Sequence, residues 1–146
     1  MRNKIKKALS RGLRNNNPGN IRITRDKNGN KTYWQGEVDG SDKDFKTFRT
    51  IQDGYRAMFV TLRSYLSKDI NTIEKIINRY APTSENATEA YIKAVAANTG
   101  IDKTDKISIA ESDKLRKLVA AISYHENGVV ANTEHVSQGY NLFITS

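Results

Sequence analysis

The chain contains no cysteine among its 146 residues, so a disulfide framework, a thiolate metal site and a cysteine nucleophile are all excluded. It also lacks any run of about 18 apolar residues, the length that a membrane-spanning helix needs. The opening MRNKIKKALSRGLR is basic, but no apolar stretch or cleavage site follows it. No signal peptide is read, and the mature protein is expected to be the whole chain. Histidine is scarce as well: His125 and His135 are the only two. Neither sits in a metal-ligand motif, so no metal and no cofactor is expected.

What the chain does have is positive charge. Lysine and arginine number 24 against 16 aspartates and glutamates, a formal net charge of +8. Such a surface attracts polyanions: nucleic acid, anionic lipid, or a cell wall carrying carboxylates and phosphates. Six of the cations (Arg2, Lys4, Lys6, Lys7, Arg11 and Arg14) fall in the first fourteen residues. Residues 1–13 therefore read as a basic N-terminal segment, solvated or partner-binding, ahead of one domain over residues 14–146. No reading helix or set of stacking aromatics accompanies the charge, so nucleic acid is not an expected partner.

The cluster Asn15-Asn16-Asn17-Pro18-Gly19-Asn20 is turn-forming, because Pro18 lacks a donor and glycine and asparagine favour turns. Ile21 and Ile23 then alternate with Arg22 and Thr24, and past Lys27-Asn28-Gly29-Asn30 comes the β-prone Thr32-Tyr33-Trp34. Together these predict a small hairpin. Tyr55, Met58, Phe59, Leu62 and Leu66 have helical spacing and predict a helix from Ile51, with Gly54 a local cost. A second helix is expected from Asn71, with Glu74 completing a capping box and Ile73, Ile76, Ile77 and Tyr80 as its stripe. A third follows Asn86, and a fourth runs from near Ser112 to Gly128 with Leu115, Leu118, Val119 and Ile122 on one side. Val129 to Ser146 reads as a loop. The expected fold class is mainly α (α+β), helices with a small β-hairpin.

The string Arg14-Asn15-Asn16-Asn17-Pro18-Gly19-Asn20-Ile21-Arg22, then Trp34-Gln35-Gly36, Asp44-Phe45, Phe48 and Gly54-Tyr55-Arg56-Ala57, resembles a domain of phage virion and endolysin-like proteins. The resemblance continues through Arg79-Tyr80-Ala81-Pro82, Ser84-Glu85-Asn86-Ala87-Thr88 and Tyr91 to His125-Glu126-Asn127-Gly128, covering most of the chain in consistent order. Thr83 departs from it, standing where a second proline is often seen. Members of that family are described as lysozyme-like or transglycosylase-like. The resemblance thus implies a lysozyme-like fold, peptidoglycan as substrate, other virion proteins as partners, and a location in the virion or in the host cytoplasm before release to the wall. The order of Asn-rich loop, Ile-Arg, Trp-x-Gly and Phe-x-x-Phe also resembles the stretch that follows the catalytic glutamate in lysozyme-like glucosaminidases. Here the helix ending in a glutamate comes last, an order that a circular permutation would produce.

Glycan cleavage needs a carboxylic acid that keeps its proton near neutral pH, and partial burial in an apolar pocket favours this. Glu126, at the end of a strongly apolar helix, is the candidate general acid and base that the resemblance implies. Its alternative role, helix termination, is disfavoured by the negative end of the helix dipole. Glu85 is a candidate second carboxylate, although its place before a helix also suits N-terminal capping. Asp44 is a third option or a turn residue. His125 can tune Glu126 or complement the dipole. Asn16, Asn17, Asn20 and Asn127 are candidate substrate-binding amides, able to donate to and accept from sugar groups, or else turn and helix-end formers. Trp34, with Tyr33, can stack on a sugar face or belong to the core. Arg22 and Arg56 can meet stem-peptide carboxylates or pair within the protein. The alternative to an enzyme is a non-enzymatic virion or cargo protein that keeps the fold to bind glycan or a neighbouring subunit.

Overall fold

Side-chain caps fix where the helices begin. In the computed structural model, which describes residues 9–82 and 84–146, Thr50, Ser84 and Asn132 each accept a hydrogen bond from the backbone amide three residues on. Helix α1 is the short Arg11–Arg14, and α2 (Ile51–Leu66) starts at the Thr50 cap. The helix α3 (Ile73–Tyr80) is capped by Thr72, not by the Asn71 and Glu74 capping box. Asn71 instead accepts from the Ile107 amide through its carbonyl, and the Glu74 amide donates to Lys103, so both anchor the 101–107 segment. α4 (Glu85–Thr99) and α5 (Ser112–Asn127) both stop at left-handed glycines, Gly100 and Gly128, the backbone conformation that glycine adopts without steric cost.

The last helix, α6 (Thr133–Ile144), occupies the stretch expected to be a loop. Val136, Tyr140 and Phe143 do keep helical spacing, but Gly139 between them reads as a breaker. Its role is close approach: a Cβ there would lie 2.5 Å from the Tyr55 Cβ and 3.0 Å from the Arg56 nitrogen. Gly139 thus lets α6 lie against α2. The core joins the stripes of five helices, with Tyr55, Met58, Phe59 and Leu62 of α2 meeting Ile76 and Ile77 of α3, Val95 of α4, Leu118 and Ile122 of α5 and Phe143 of α6. The chain is mainly α, with six helices and two short antiparallel strand pairs among the described residues. No helix there is long and apolar enough to cross a membrane.

The expected hairpin is present as β1 (Thr24–Arg25) and β2 (Lys31–Thr32), with Thr24 opposite Thr32. A second pair, β3 (Glu37–Val38) and β4 (Thr47–Phe48), sits beside it. Lys46 joins the two: its ammonium donates to Glu37 Oε1 at 2.7 Å and to Thr24 Oγ1 at 2.8 Å, and both side chains of the ion pair are fully buried.

The domain begins earlier than residue 14. Ser10 caps α1, Gly12 is buried, and Arg11 bonds Asp42 through two nitrogens, at 2.7 and 2.8 Å. The guanidinium holds the Asp42 carboxyl well below the usual carboxylate range. Arg11 and Arg14 are therefore part of the folded unit, whereas the basic residues Arg2, Lys4, Lys6 and Lys7 lie outside the described residues.

Candidate active site around Glu126

The Asn-rich segment 15–20 is a strap laid across α2. A Cβ on Gly54 would overlap the Asn16 carbonyl oxygen and come within 2.7 Å of Pro18 Cδ, so the glycine that costs α2 helix propensity is what lets the strap lie flat. Asn17 holds the strap in shape. Fully buried, its amide nitrogen donates to the carbonyls of Ile21 and Lys46, and its oxygen accepts from the Ile21 amide. Asn16 and Asn20 both take left-handed backbone angles, φ 51° and 50°, which asparagine tolerates better than most residues. The Asn16 amide donates to the carbonyls of Phe48 and Arg49.

The strap ends against the last turn of α5. Asn127 donates to the Pro18 carbonyl at 2.8 Å and to the Ser123 carbonyl at 2.9 Å, and accepts from Ser10 Oγ at 2.7 Å. Its side chain therefore ties α5, the strap and the start of α1 together. Next to it, Glu126 is half-buried. Asn20 Nδ2 donates to its Oε1 and the Tyr91 hydroxyl donates to its Oε2, each at 2.8 Å. The Asn20 oxygen is buried without a hydrogen-bond partner among the described residues. It turns toward Gly12, where an added Cβ would lie 2.9 Å from it and 2.7 Å from the Asn127 oxygen.

Two tyrosines surround this carboxylate. Tyr91 is buried on α4, and burial, followed by the negative charge of Glu126, pushes its phenol well above the ordinary value. Tyr80, at the end of α3, donates to the Gly19 carbonyl, and the same two causes raise it in the same order. Both phenols therefore keep their protons at neutral pH, and Tyr91 is a permanent donor to Glu126. His125, exposed on the last turn of α5, stacks on the Tyr91 ring with centroids 3.7 Å apart.

Of the residues singled out in the sequence, the fold brings Glu126, Asn20, Asn127 and His125 together. Asn16 and Asn17 are turn-holders, and the Asn17 side chain has no polar atom left for a ligand. Arg22 lies over the Phe45 ring at 4.8 Å, beside Arg11 at 4.5 Å. Trp34 is half-buried, with the Lys46 ammonium 5.0 Å from its ring centre. Glu85 is exposed on the first turn of α4 and lines a separate groove with Glu74, Asn78 and Thr88. Asp44 pairs with Arg11 at 3.0 Å, and the Arg56 guanidinium donates to Ser146. Sequence reasoning missed Tyr91 and Tyr80 as site residues. Each sits on an apolar helix stripe, and the one signal available was a hydroxyl carried into that stripe, which needs a partner when buried.

No protein-family model matches the chain. It is similar to Protein P5 of Pseudoalteromonas phage PM2, with 40% identity over 121 residues, covering 82% of this chain and 72% of that protein.

Proposed function

The chain belongs to the family of phage Protein P5, and from that premise we propose that it cleaves the β-1,4 glycan strand of peptidoglycan, as a lysozyme or lytic transglycosylase does. The observation that carries the proposal is the setting of Glu126: a half-buried carboxylate at a helix end, aimed by one neutral donor on each oxygen. Each oxygen keeps a further lone-pair site, so the group can still exchange a proton with a substrate. The strap and two helices fix its position, as proton transfer over hydrogen-bond distance requires.

In this reading Glu126 gives its proton to the glycosidic oxygen as the bond from that oxygen to the sugar breaks. The resulting carboxylate then takes a proton from the oxygen that bonds to the freed anomeric carbon, either water, which leaves a reducing sugar, or the muramic 6-hydroxyl, which closes an anhydro ring. Neither route needs a covalent nucleophile. In the transglycosylase route one carboxyl group serves as both acid and base, and Glu85 is left as a favourable charge at the start of α4. The net positive charge brings the protein to a wall rich in anionic groups, and the similarity to a phage protein supports a location in the virion or among proteins released at lysis. Incubating the purified protein with insoluble peptidoglycan and identifying the soluble products by mass spectrometry tests this reading. Muropeptides ending in a reducing or anhydro sugar are expected, and an intact glycan refutes it.

One observation favours the non-enzymatic alternative, in which the chain is a virion protein that binds glycan or a neighbouring subunit. The two hydrogen bonds that aim Glu126 also clasp α5 to the strap and to α4, so the carboxylate has structural work of its own. Under that reading Glu126→Gln lowers stability while the wild-type protein releases nothing from the wall.

A further inference from the structure

The Asn20 side chain is bonded at one end and orphaned at the other. Its Nδ2 donates to Glu126 Oε1 at 2.8 Å, while its oxygen is buried with no hydrogen-bond partner among the described residues. That oxygen lies among acceptors. Asn20 Oδ1, Asn127 Oδ1 and the Asn17 carbonyl oxygen stand 2.9, 2.7 and 2.8 Å from the point that a Cβ on Gly12 would occupy. Asn127 Oδ1 accepts from Ser10 Oγ and the Asn17 carbonyl accepts from the Asn20 backbone amide, so each keeps a lone-pair site open. A donor suits that side of Gly12, and the Asn20 oxygen is not one.

An amide carries both kinds of group. Half a turn about its Cβ–Cγ bond exchanges the oxygen and the NH2, which have nearly the same size. In the turned position the NH2 faces the two open acceptors and the oxygen faces Glu126 Oε1. Two oxygens at hydrogen-bond distance need a proton between them, and a protonated carboxyl supplies it as an O–H donor. Each position of the amide therefore suits one form of the acid. The ionised form takes the N–H and leaves the Asn20 oxygen orphaned, which costs free energy in a buried place. The protonated form gives that oxygen a donor. The other ionisable groups around Glu126 are accounted for. Tyr55 on α2, Tyr80 on α3 and Tyr91 on α4 keep their protons at neutral pH, and His125 on α5 lies against the Tyr91 ring. On α1, Arg11 is bonded to Asp42 and Arg14 to the Leu9 carbonyl, and strap residues 15–20 carry no titratable side chain.

We propose that Asn20 is a two-position amide that turns over as Glu126 gains and loses its proton, pairing with the acid in one position and with the base in the other. Only a rotation occurs at Asn20; the proton passes between Glu126 and solvent or substrate. Asn20 is thus a positioning residue, and the proposal rests on Glu126 serving as acid and base in the function proposed above.

The test follows the full wild-type chain by NMR through the titration of the Glu126 side-chain carboxyl carbon. Protonation should bring a nuclear Overhauser contact between the Asn20 side-chain NH2 and Gly12 Hα, and deprotonation should remove it, with the same midpoint as the carboxyl. In Glu126→Gln the contact should be present at every pH. There Tyr91 donates to the oxygen of the new amide, as it does to Glu126 Oε2, so the new NH2 faces Asn20 and Asn20 must accept. An Asn20 NH2 that stays beside residue 126 in both proteins, or that turns with the midpoint of His125 instead, overturns the proposal. Should the variant not fold, the wild-type titration decides alone. A wall left intact by a protein whose amide turns over removes the cleavage and leaves the two-position amide standing. A wall cleaved by a protein whose amide stays fixed does the reverse.

Discussion

Tyr91 and Glu126, 35 positions apart in the chain, meet through one hydrogen bond in which the phenol donates to Oε2 at 2.8 Å. This contact divides two roles that a single substitution would confuse. Glu126→Gln keeps an acceptor for Tyr91 but has no acidic proton, so turnover of peptidoglycan is expected to fall by orders of magnitude with the fold intact. Tyr91→Phe keeps the acid and the ring stacked under His125 but frees one carboxylate oxygen. A hydrogen bond to a charged group contributes about 1.5–3 kcal/mol, so a loss of roughly tenfold to a hundredfold in kcat is expected, with circular dichroism unchanged. Activity equal to wild type in the folded Glu126→Gln protein refutes the assignment.

Gly54→Ala should be far more damaging than an alanine in a helix usually is. By helix propensity alone the change is favourable by about 1 kcal/mol. The strap reverses the sign, because the new Cβ would overlap the Asn16 carbonyl oxygen, and a backbone atom cannot rotate away. Overpacking of this kind costs about 1–3 kcal/mol, read as a lower midpoint in urea. The displaced strap also carries Asn20, so activity should drop in the fraction that stays folded.

Gly54 illustrates why parts of the fold were legible in the sequence and parts were not. The helices of residues 51–127 follow from apolar period and cap residues, both local properties, and so does the β1–β2 hairpin. Gly54 and Gly139 look like local defects because what they accommodate, the strap and α2, lies far away in sequence. The same blindness cost α6, whose stripe of Val136, Tyr140 and Phe143 is interrupted by Gly139. Glu126, Asn20, Asn127 and His125 were legible as polar groups at a helix end and in a turn. Tyr91 and Tyr80 were not, since their stripes account for their burial and nothing local tells where their hydroxyls point. Arg22 and Trp34 were legible only as alternatives, sugar contact or packing within the protein, because the Phe45 ring beneath one and the Lys46 ammonium over the other are tertiary partners.

The buried pair of Lys46 and Glu37 predicts a non-additive result. Both side chains are fully buried, and the second Glu37 oxygen has no hydrogen-bond partner among the described residues. Lys46→Met alone strands a buried carboxylate, which costs about 3–5 kcal/mol. Replacing both residues with methionine removes the charge together with its partner, so the double variant should be more stable than Lys46→Met. Urea unfolding of the wild type, both single variants and the double variant measures the coupling. Additive losses would mean the pair is not what joins β1–β2 to β3–β4.

The tyrosines around the site set a limit at alkaline pH. Tyr55, Tyr80 and Tyr91 all have phenols raised above the ordinary value of 10.0, in each case chiefly by burial. A folded-state value above the unfolded one means that the native protein keeps protons which the unfolded chain releases. The stability from these groups is therefore fully present below about pH 10 and is lost as pH rises toward the folded values. The charge of Glu126 adds to the shift at Tyr80 and Tyr91 but is not among the causes at Tyr55. Glu126→Gln should accordingly let Tyr80 and Tyr91 ionise at a lower pH than they do in the wild type, because one of the two main causes of their shift is gone. The phenolate absorbance of the two folded proteins, followed upward from about pH 10, compares them. Identical titrations would mean that Glu126 does not act electrostatically on its two tyrosines, and the picture of a carboxylate held between neutral donors would fail with it.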